Sequence, residues 1–171
     1  MNISIITKDI DVSAIAKEIN SQPENWLLDT KRQTNLYEQV NTEIINLVKS
    51  WSPTPLADPR DNHQYKPTKL YDLYPETMQA VGRYFPAGLS RVAIVKLKPG
   101  KQVFPHIDSG EYYKIRHRYH LAITGSYLYI VEEQRKQINP GTLFWFNNKR
   151  VHASYNNTSE DRISVIFDVE I

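Results

Sequence analysis

The stretch GTLFWFNNKRVHASYNNTSEDRISVIFDVEI, residues 141–171, decides the fold class of this chain. It contains three short runs that are rich in β-branched and aromatic residues, as β-strands are. The turn-forming sequences NNK and NNTSED separate these runs. Runs that are so short and so closely spaced favour antiparallel strands joined by tight connections.

Four more runs of the same kind precede this stretch. They are RVAIVKL at 91–97, KQVFPHID at 101–108, RYHLAITG at 118–125 and SYLYIVEE at 126–133. Seven short strands separated by turn formers such as PG and NPG predict a sandwich or a jelly roll. We therefore predict a mainly β fold over residues 91–171, buttressed by N-terminal helices.

The first half of the chain has a helical pattern. Between about residues 34 and 51, apolar residues recur at the spacing that lines one helix face, so we predict an amphipathic helix there. Shorter helices are predicted over residues 11–20 and from Pro75 onward. The apolar positions of the longest predicted helix are Leu36, Val40, Ile44, Leu47, Val48 and Trp51.

Prolines interrupt the region between the predicted helices. Six of the ten prolines fall between Pro53 and Pro86. Each proline lacks a backbone donor, so the segment SPTPLADPRDNHQYKPT, residues 52–68, is predicted to be a long surface loop. We expect the whole chain, 1–171, to be one domain, with helical support and loops over 1–90 and the β core over 91–171.

Composition excludes several classes of function. A chain of 171 residues with 40% hydrophobic content can bury one core. Its 21 Lys and Arg against 19 Asp and Glu give a net charge of +2, too weak a field to suggest a nucleic-acid partner. Cysteine is absent, so disulfides, thiolate metal sites and cysteine nucleophiles are excluded. No secretory leader or apolar run of membrane-spanning length is visible, so we expect a cytoplasmic protein without a membrane partner.

The motif His106-Ile107-Asp108 is the first candidate for a metal site. On an extended strand, residues i and i+2 face the same side, so the imidazole and the carboxylate can converge on one ion. His152 lies in another predicted strand and can supply a third ligand. Two histidines and one carboxylate on one face of an octahedron are the ligand set of non-haem Fe(II) oxygenases. A structural zinc site would favour four ligands, usually with sulfur. The alternative for His152 is a hydrogen-bonded histidine at the rim of the sheet.

Arg162 opens the last predicted strand, after the turn that follows His152. A hairpin there would bring its side chain back toward the metal site. A guanidinium matches the two oxygens of a carboxylate and stays charged in a partly dry pocket, which suits the distal carboxylate of 2-oxoglutarate. The alternative is a surface arginine at the start of a strand.

Taken together, these residues resemble the aspartyl/asparaginyl β-hydroxylase family, a group of double-stranded β-helix (cupin-like jelly roll) enzymes. The resemblance covers roughly residues 91 to 168. It rests on PGKQVFPHID, on the Arg118-Tyr119-His120 element and on NPGTLFWFNNKRVHASYNNTSEDRISVIFD. It implies an oxygenase, specifically a hydroxylase, that uses Fe(II), 2-oxoglutarate and dioxygen.

The resemblance also implies roles for individual residues. His106, Asp108 and His152 would hold the iron, and Arg162 would bind the 5-carboxylate of 2-oxoglutarate. Arg118 and His120 match the family's Arg-x-His element, close to the other carboxylate of the co-substrate. Where family members place a hydroxyl residue beside the 5-carboxylate, this chain has Val95.

The substrate stays open at this point. An aspartyl or asparaginyl side chain in a peptide, a free amino acid and a lipid acyl chain are all compatible with the resemblance, the lipid least so. We predict that the loop SGEYYKIRHR, residues 109–118, clasps the substrate through Lys114 and Arg116. The alternative for this loop is a solvated basic segment.

Two functions of other classes also compete with the oxygenase. One is a cupin-like metal-binding jelly roll without oxygenase activity, which would need the histidines and Asp108 but not Arg162. The other is a nucleic-acid-binding protein that stacks bases on its aromatic strands, which the near-neutral charge disfavours.

Overall fold

Two antiparallel β-sheets form most of the molecule. The computed structural model describes residues 1–54 and 61–171, except for the side chain of residue 32. Its strands are β1 (Ile3–Thr7), β2 (Thr42–Ser50), β3 (Tyr65–Pro67), β4 (Leu89–Leu97), β5 (Gln102–His106), β6 (Arg116–Thr124), β7 (Tyr127–Val131), β8 (Gln134–Ile138), β9 (Leu143–Phe146), β10 (His152–Tyr155) and β11 (Arg162–Glu170). Its helices are α1 (Ser13–Asn20), α2 (Lys31–Asn35), α3 (Pro75–Tyr84) and α4 (Glu111–Lys114), and short 3-10 turns cover Pro23–Leu27, Tyr37–Gln39 and Tyr71–Leu73.

The sheets differ in size. The larger has the strand order β1-β9-β6-β11-β4-β2-β3, and the smaller has the order β5-β10-β7-β8. All seven predicted strands are present, and the mainly β, double-stranded β-helix fold class is confirmed. The structure adds four strands that were not predicted: β1, β2, β3 and β8.

Along the central strands of the larger sheet, successive side chains point alternately to its two faces, which have different surroundings. On β11, Ile163, Val165 and Phe167 belong to the core that α1 and α3 cover. Their neighbours Arg162, Ser164 and Asp168 are also buried, but they point to the opposite face, toward the smaller sheet. One face of this sheet therefore packs in a hydrophobic core, and the other carries buried polar side chains that face the smaller sheet.

The two faces bury separate hydrophobic clusters. The first lies between the larger sheet and the helices, where Ile15, Ile19 and Val81 pack on strands β2, β4, β6 and β11. The second lies between the two sheets and includes Tyr127, Tyr129, Phe144 and Phe146. Aromatic rings thus fill one end of the space between the sheets and leave the other end for the polar side chains.

The predicted helix over 34–51 is wrong. Residues Thr42–Ser50 form β2, which pairs with β4 on one side and β3 on the other, and only short helical turns precede it. Ile44, Ile45, Leu47 and Val48 are all buried, because helices cover one face of this strand and other groups cover the second. A strand that is buried on both faces loses its simple alternation and can imitate helical spacing.

The other N-terminal predictions fared better. Helices α1 and α3 confirm the two shorter predicted helices, and Pro75 is the first residue of α3. The predicted surface loop over 52–68 is interrupted by β3, whose Pro67 pairs with Val48 at the sheet edge, where a missing donor is tolerated. Residues 55–60 of that loop lie outside the described residues. None of the helices in the described part of the chain is long and apolar enough to cross a membrane.

Candidate metal and co-substrate site

His106 and His152 lie opposite each other in the smaller sheet. They are paired residues of the β5–β10 ladder, and their ring centroids are 4.2 Å apart. Asp108 follows β5 by two residues, and its carboxylate joins the two imidazoles. One ligand atom from each of the three residues lies within 4.8 Å of the other two. The structure therefore brings together the three residues that the sequence singled out as metal ligands.

Backbone carbonyls fix the orientation of both imidazoles. Nδ1 of His106 is 2.8 Å from the carbonyl oxygen of Phe104, and Nδ1 of His152 is 2.9 Å from that of Arg150. Because a carbonyl can only accept, each Nδ1 carries the proton and each Nε2 keeps its lone pair. In this structure Nε2 of His106 is 3.3 Å from the side-chain amide nitrogen of Gln39. Both histidines thus present the tautomer that a metal requires.

The carboxylate of Asp108 is held by one of its two oxygens. Its Oδ2 accepts hydrogen bonds from Arg118 Nη1 at 2.8 Å and from Asn148 Nδ2 at 3.0 Å. Its Oδ1 lies 3.8 Å from Nε2 of His106. One oxygen therefore anchors the side chain, and the other is directed toward the imidazoles.

Electrostatics keeps Asp108 and His152 in the states that bind a cation. Burial opposes ionisation of Asp108, but Arg118 and His152 outweigh it and hold the pKa of Asp108 below its usual value. Burial is the main cause that lowers the pKa of His152 to about 4. At neutral pH the site therefore holds an ionised carboxylate beside a neutral imidazole.

Arg118 connects Asp108 with a second buried carboxylate. Besides its bond to Asp108, its guanidinium donates to Asp168 twice, from Nε at 2.7 Å and from Nη2 at 2.9 Å. Burial alone would lower the pKa of Arg118, but the two carboxylates raise it. Asp168 was missed in the sequence analysis, although an acidic residue inside the apolar run RISVIFDVEI, in phase with Arg162, was a usable signal.

A small space next to the histidines, which we call the inner cavity, contains the predicted co-substrate residues. His106, His152, Arg118, His120 and Arg162 all line it. The remaining lining residues are Gln39, Val95, Val103, Tyr129, Phe146, Ala153, Ser154 and Ile166. The predicted anion-binding residues therefore share one cavity with two of the three predicted metal ligands, His106 and His152.

Arg162 is 1% exposed and only partly satisfied. Its Nη2 donates to Ser154 Oγ at 2.8 Å, and its guanidinium carbon lies 4.5 Å from the ring centre of Tyr127. Its Nε and Nη1 have no hydrogen-bond partner in the described part of the chain. Burial lowers its pKa. Buried donors of this kind suit a bound anion, because leaving them unpaired is costly.

The hydroxyl group beside Arg162 comes from β10, whereas the resemblance placed it on β4 at the position of Val95. Val95 lines the inner cavity, as its alignment required, but it has no hydroxyl. Ser154, which the sequence analysis did not single out, supplies the hydroxyl beside Arg162 instead. His120 lies on the same strand face as Arg118, with its ring edge-on to Tyr129, Phe144 and Phe146.

A second, larger space lies beside the inner cavity, and we call it the outer cleft. It has a volume of about 460 Å³ and shares four lining residues with the inner cavity, His106, Arg118, Gln39 and Ile166. Strands β2 and β4 and the segment after β5 form its walls. Its other lining residues are Asp29, Lys31, Leu36, Glu38, Ile44, Asn46, Val48, Lys49, Ser50, Arg91, Ala93, Ile107, Asp108, Ser109, Tyr113 and Asp168.

The predicted substrate loop is only partly correct. Tyr113 lines the outer cleft, but Arg116 does not. Arg116 is 1% exposed, and it is held by Glu170, by the Tyr112 carbonyl and by the face of the Tyr112 ring. Lys114 is exposed and paired with Glu111. The two basic residues proposed to clasp a substrate are therefore engaged elsewhere, in a structural cluster and at the surface.

Comparison with solved structures gives many matches of low identity. One is a predicted oxalate decarboxylase from Thermotoga maritima, with 12% identity, a TM-score of 0.45 and coverage of 76% of this chain and 81% of that chain. Another is a Cupin 2 conserved barrel domain protein from Salinispora arenicola, with 18% identity, a TM-score of 0.38 and coverage of 49% and 65%. A third is an uncharacterised protein with a double-stranded β-helix domain from Klebsiella pneumoniae, with 18% identity, a TM-score of 0.41 and coverage of 49% and 70%.

A family model decides the relationship. No curated protein sequence matches the chain. The model for aspartyl/asparaginyl beta-hydroxylase, however, matches residues 10–171, which include every strand from β2 to β11 and all the residues of the site described above. The chain therefore belongs to the aspartyl/asparaginyl beta-hydroxylase family.

Proposed function

We propose that this protein is an Fe(II)- and 2-oxoglutarate-dependent oxygenase that hydroxylates an amino acid or a peptide side chain. In this reaction one atom of dioxygen becomes the new hydroxyl group. The other enters succinate, which forms from 2-oxoglutarate with loss of CO₂. The observation that carries the proposal is the cavity that Arg162 lines together with His106 and His152, since two buried donors of Arg162 have no partner among the described residues.

The ligand set suits ferrous iron. His106, Asp108 and His152 supply two imidazole nitrogens and one carboxylate oxygen within 4.8 Å of one another. These three residues would hold the iron as a facial set, which would leave the other coordination positions for co-substrate and dioxygen. No sulfur ligand is available, since the sequence has no cysteine. Bound iron would supply the activation of dioxygen, and the role of the chain is to hold the ligands and the reactants.

The residues around the inner cavity suit a dicarboxylate, and the cavity, whose volume is about 30 Å³, would have to widen to hold one. Arg162 would bind the distal carboxylate through Nε and Nη1, which have no partner in the described residues, while Ser154 fixes its Nη2. At the other end, Arg118 and His120 flank the histidines and would contact the carboxylate nearer to the metal. Arg118 would make this contact with the one Nη1 hydrogen that its bonds to Asp108, Asp168 and Tyr113 leave over.

The outer cleft suits the substrate. It reaches His106 and Asp108 from the side away from Arg162, so a substrate there would approach the metal without competing for the co-substrate cavity. The reaction needs no general base from the chain. The contribution of the chain to rate is therefore to hold the target carbon near the metal.

An anaerobic titration tests the proposal directly. Protein stripped of metal is mixed with Fe(II) and then with 2-oxoglutarate, and its visible absorption is recorded. We expect a charge-transfer band that needs both additions, followed by succinate release once oxygen is admitted. The matched variants are Arg162→Gln, which should need far more 2-oxoglutarate for the band, and Arg135→Gln, an exposed arginine on β8, which should behave as the wild type.

Two results would contradict the proposal. Absence of the band in the wild type would remove the ternary complex on which the function depends. A band without any succinate, in the presence of amino acids or peptides, would favour the cupin-like metal-binding protein instead.

A further inference from the structure

Arg91 stands out among the arginines that face the site. It lies on β4, in phase with Ala93 and Val95, so its side chain points to the face of the larger sheet that is turned toward the metal ligands. It lines the outer cleft together with Asp108 and Tyr113. A guanidinium at this position faces the space that the proposed function assigns to the substrate.

Aromatic contacts hold this guanidinium in place. Its central carbon lies 3.5 Å from the ring centre of Tyr112, which is completely buried. Tyr112 is fixed in turn by Ser90 and Asp168 through its hydroxyl group. Arg91 is therefore an oriented group and not a free surface arginine.

Its hydrogen-bonding capacity is largely unused. Nη1 reaches the Tyr113 hydroxyl at 3.5 Å and Nη2 reaches the Asn62 carbonyl at 3.5 Å, both at the long limit for a hydrogen bond. Nε is buried without any partner within residues 1–54 and 61–171. In the same residues no carboxylate forms a salt bridge with Arg91, whereas Arg118 has two. Among the residues that the structure describes, no carboxylate thus compensates the charge of Arg91, which lies beside Asp108 in the outer cleft.

Tyr113 adds a second donor at the same place. Its hydroxyl oxygen accepts from Arg118 Nη2 at 3.2 Å as well as from Arg91. Its own O–H group has no acceptor in the part of the chain that the structure describes. Tyr113 therefore links Arg91 to the guanidinium that holds Asp108, and it leaves one proton to donate into the outer cleft.

We propose that Arg91 and Tyr113 form a subsite for a carboxylate of the substrate. The carboxylate accepts from the guanidinium and from the Tyr113 hydroxyl, and the substrate then extends toward His106 along the outer cleft. The proposal rests on the proposed function for the identity of the cleft, and it names a substrate class, a carboxylic acid. The carboxylate can be the α-carboxylate of a free amino acid or the side-chain carboxylate of an acidic residue in a peptide.

Binding measurements with paired compounds test this proposal. The free L-amino acids are compared with their α-amides, and N-acetyl-aspartate amide is compared with N-acetyl-asparagine amide. Calorimetric titrations use the full chain, first alone and then with zinc and 2-oxoglutarate, a combination that does not react with oxygen. The difference in affinity between the amino acids and their amides reports on binding of an α-carboxylate. The difference within the N-acetyl pair reports on binding of a side-chain carboxylate.

We expect at least one acid to bind about tenfold or more tightly than its amide, since a charge-assisted hydrogen bond is lost in the amide. Arg91→Gln should remove most of that preference. Tyr113→Phe keeps the ring and should reduce the preference several-fold, which tests the subsite even if Arg91→Gln fails to fold. Arg135→Gln removes an exposed arginine on β8, outside the cleft, and should keep the preference.

Two outcomes would overturn the subsite: no acid binds more tightly than its amide, or both Arg91→Gln and Tyr113→Phe keep the wild-type preference. Succinate release is measured in parallel on the wild type with iron. If an acid is preferred but no succinate forms, the carboxylate subsite stands and the oxygenase proposal fails. If succinate forms but acids and amides bind equally, the oxygenase stands and the subsite fails.

Discussion

Both carboxylate oxygens of Asp168 accept hydrogen bonds from Arg118, from Nε at 2.7 Å and from Nη2 at 2.9 Å, whereas Asp108 accepts from Nη1. Asp168 is 1% exposed, so this pair is buried. The side chain that anchors one candidate metal ligand is therefore itself anchored by the last strand of the chain.

Asp168→Asn should destabilise the protein by about 3 kcal/mol, because it disrupts two buried charge-assisted hydrogen bonds from Arg118, which are worth about 1.5–3 kcal/mol each, although Arg118 keeps its bond to Asp108. Urea denaturation measures the free energy of unfolding. The matched variant is Glu111→Gln, which removes a carboxylate from an exposed pair with Lys114 and should change stability by less than about 1 kcal/mol. Equal effects of the two substitutions would show that the Arg118–Asp168 pair is not a structural anchor.

Arg162→Lys keeps a positive charge but loses the planar fork. If Arg162 binds the distal carboxylate of 2-oxoglutarate, the KM for 2-oxoglutarate should rise about tenfold or more, since charge-assisted hydrogen bonds are worth about 1.5–3 kcal/mol. Ser154→Ala should give a smaller rise, because it frees Nη2 of Arg162 from its partner and leaves the guanidinium less well oriented. Steady-state succinate formation gives both values. An unchanged KM in Arg162→Lys would exclude this role for Arg162.

His152 should make the metal-free protein sensitive to acid. Its pKa is lowered to about 4 by burial, whereas in the unfolded chain it is near 6.5, so the unfolded state binds the proton more readily. A group with a depressed pKa that must stay neutral contributes stability above the unfolded pKa. That stability is lost as pH falls from about 6.5 to about 4, a loss of about 3 kcal/mol.

The measurement is urea denaturation with a chelator at several pH values. His152→Asn cannot take up a proton and should show a flatter dependence over that window. If both proteins lose stability equally, the acid sensitivity has another source.

Two glycines should respond in opposite directions to the same substitution. Gly141 has φ +80°, and a Cβ there would lie 2.6 Å from the backbone oxygen of Ile10, so Gly141→Ala should destabilise by about 2 kcal/mol or more. Gly82 lies inside α3, and a Cβ there would meet nothing within 4 Å. Gly82→Ala should stabilise by about 0.5–1 kcal/mol. Thermal melting of the two variants checks both signs, and a stabilising Gly141→Ala would contradict the close approach of Ile10.

The C-terminal strands were predictable because their sequence signals are local. The runs that became β4 to β7 and β9 to β11 combine β-branched and aromatic residues with clear turn formers. The approach of His106 to His152 could be expected from the strand order of a jelly roll, and their tautomers follow from carbonyls two residues away in the sequence.

The misses have tertiary causes. Strand β2 is covered on both faces, so its apolar residues do not alternate as those of a half-exposed strand do. Strand β8, QRKQI, is polar because it is the edge of the smaller sheet, and its pairing with β7 defines it. Arg116 is buried because it contacts Tyr112 and Glu170, and the spacing of residues along the chain does not reveal these contacts.

The pairing of His106 with His152 across a β-ladder has a consequence for how the protein would bind a metal. Main-chain hydrogen bonds between two strands set the separation of the two histidines. These two imidazoles are therefore preassembled, and binding an ion would cost little reorganisation of the scaffold. We expect a protein built in this way to release a bound ion to a chelator and to take it up again while the sheets stay intact.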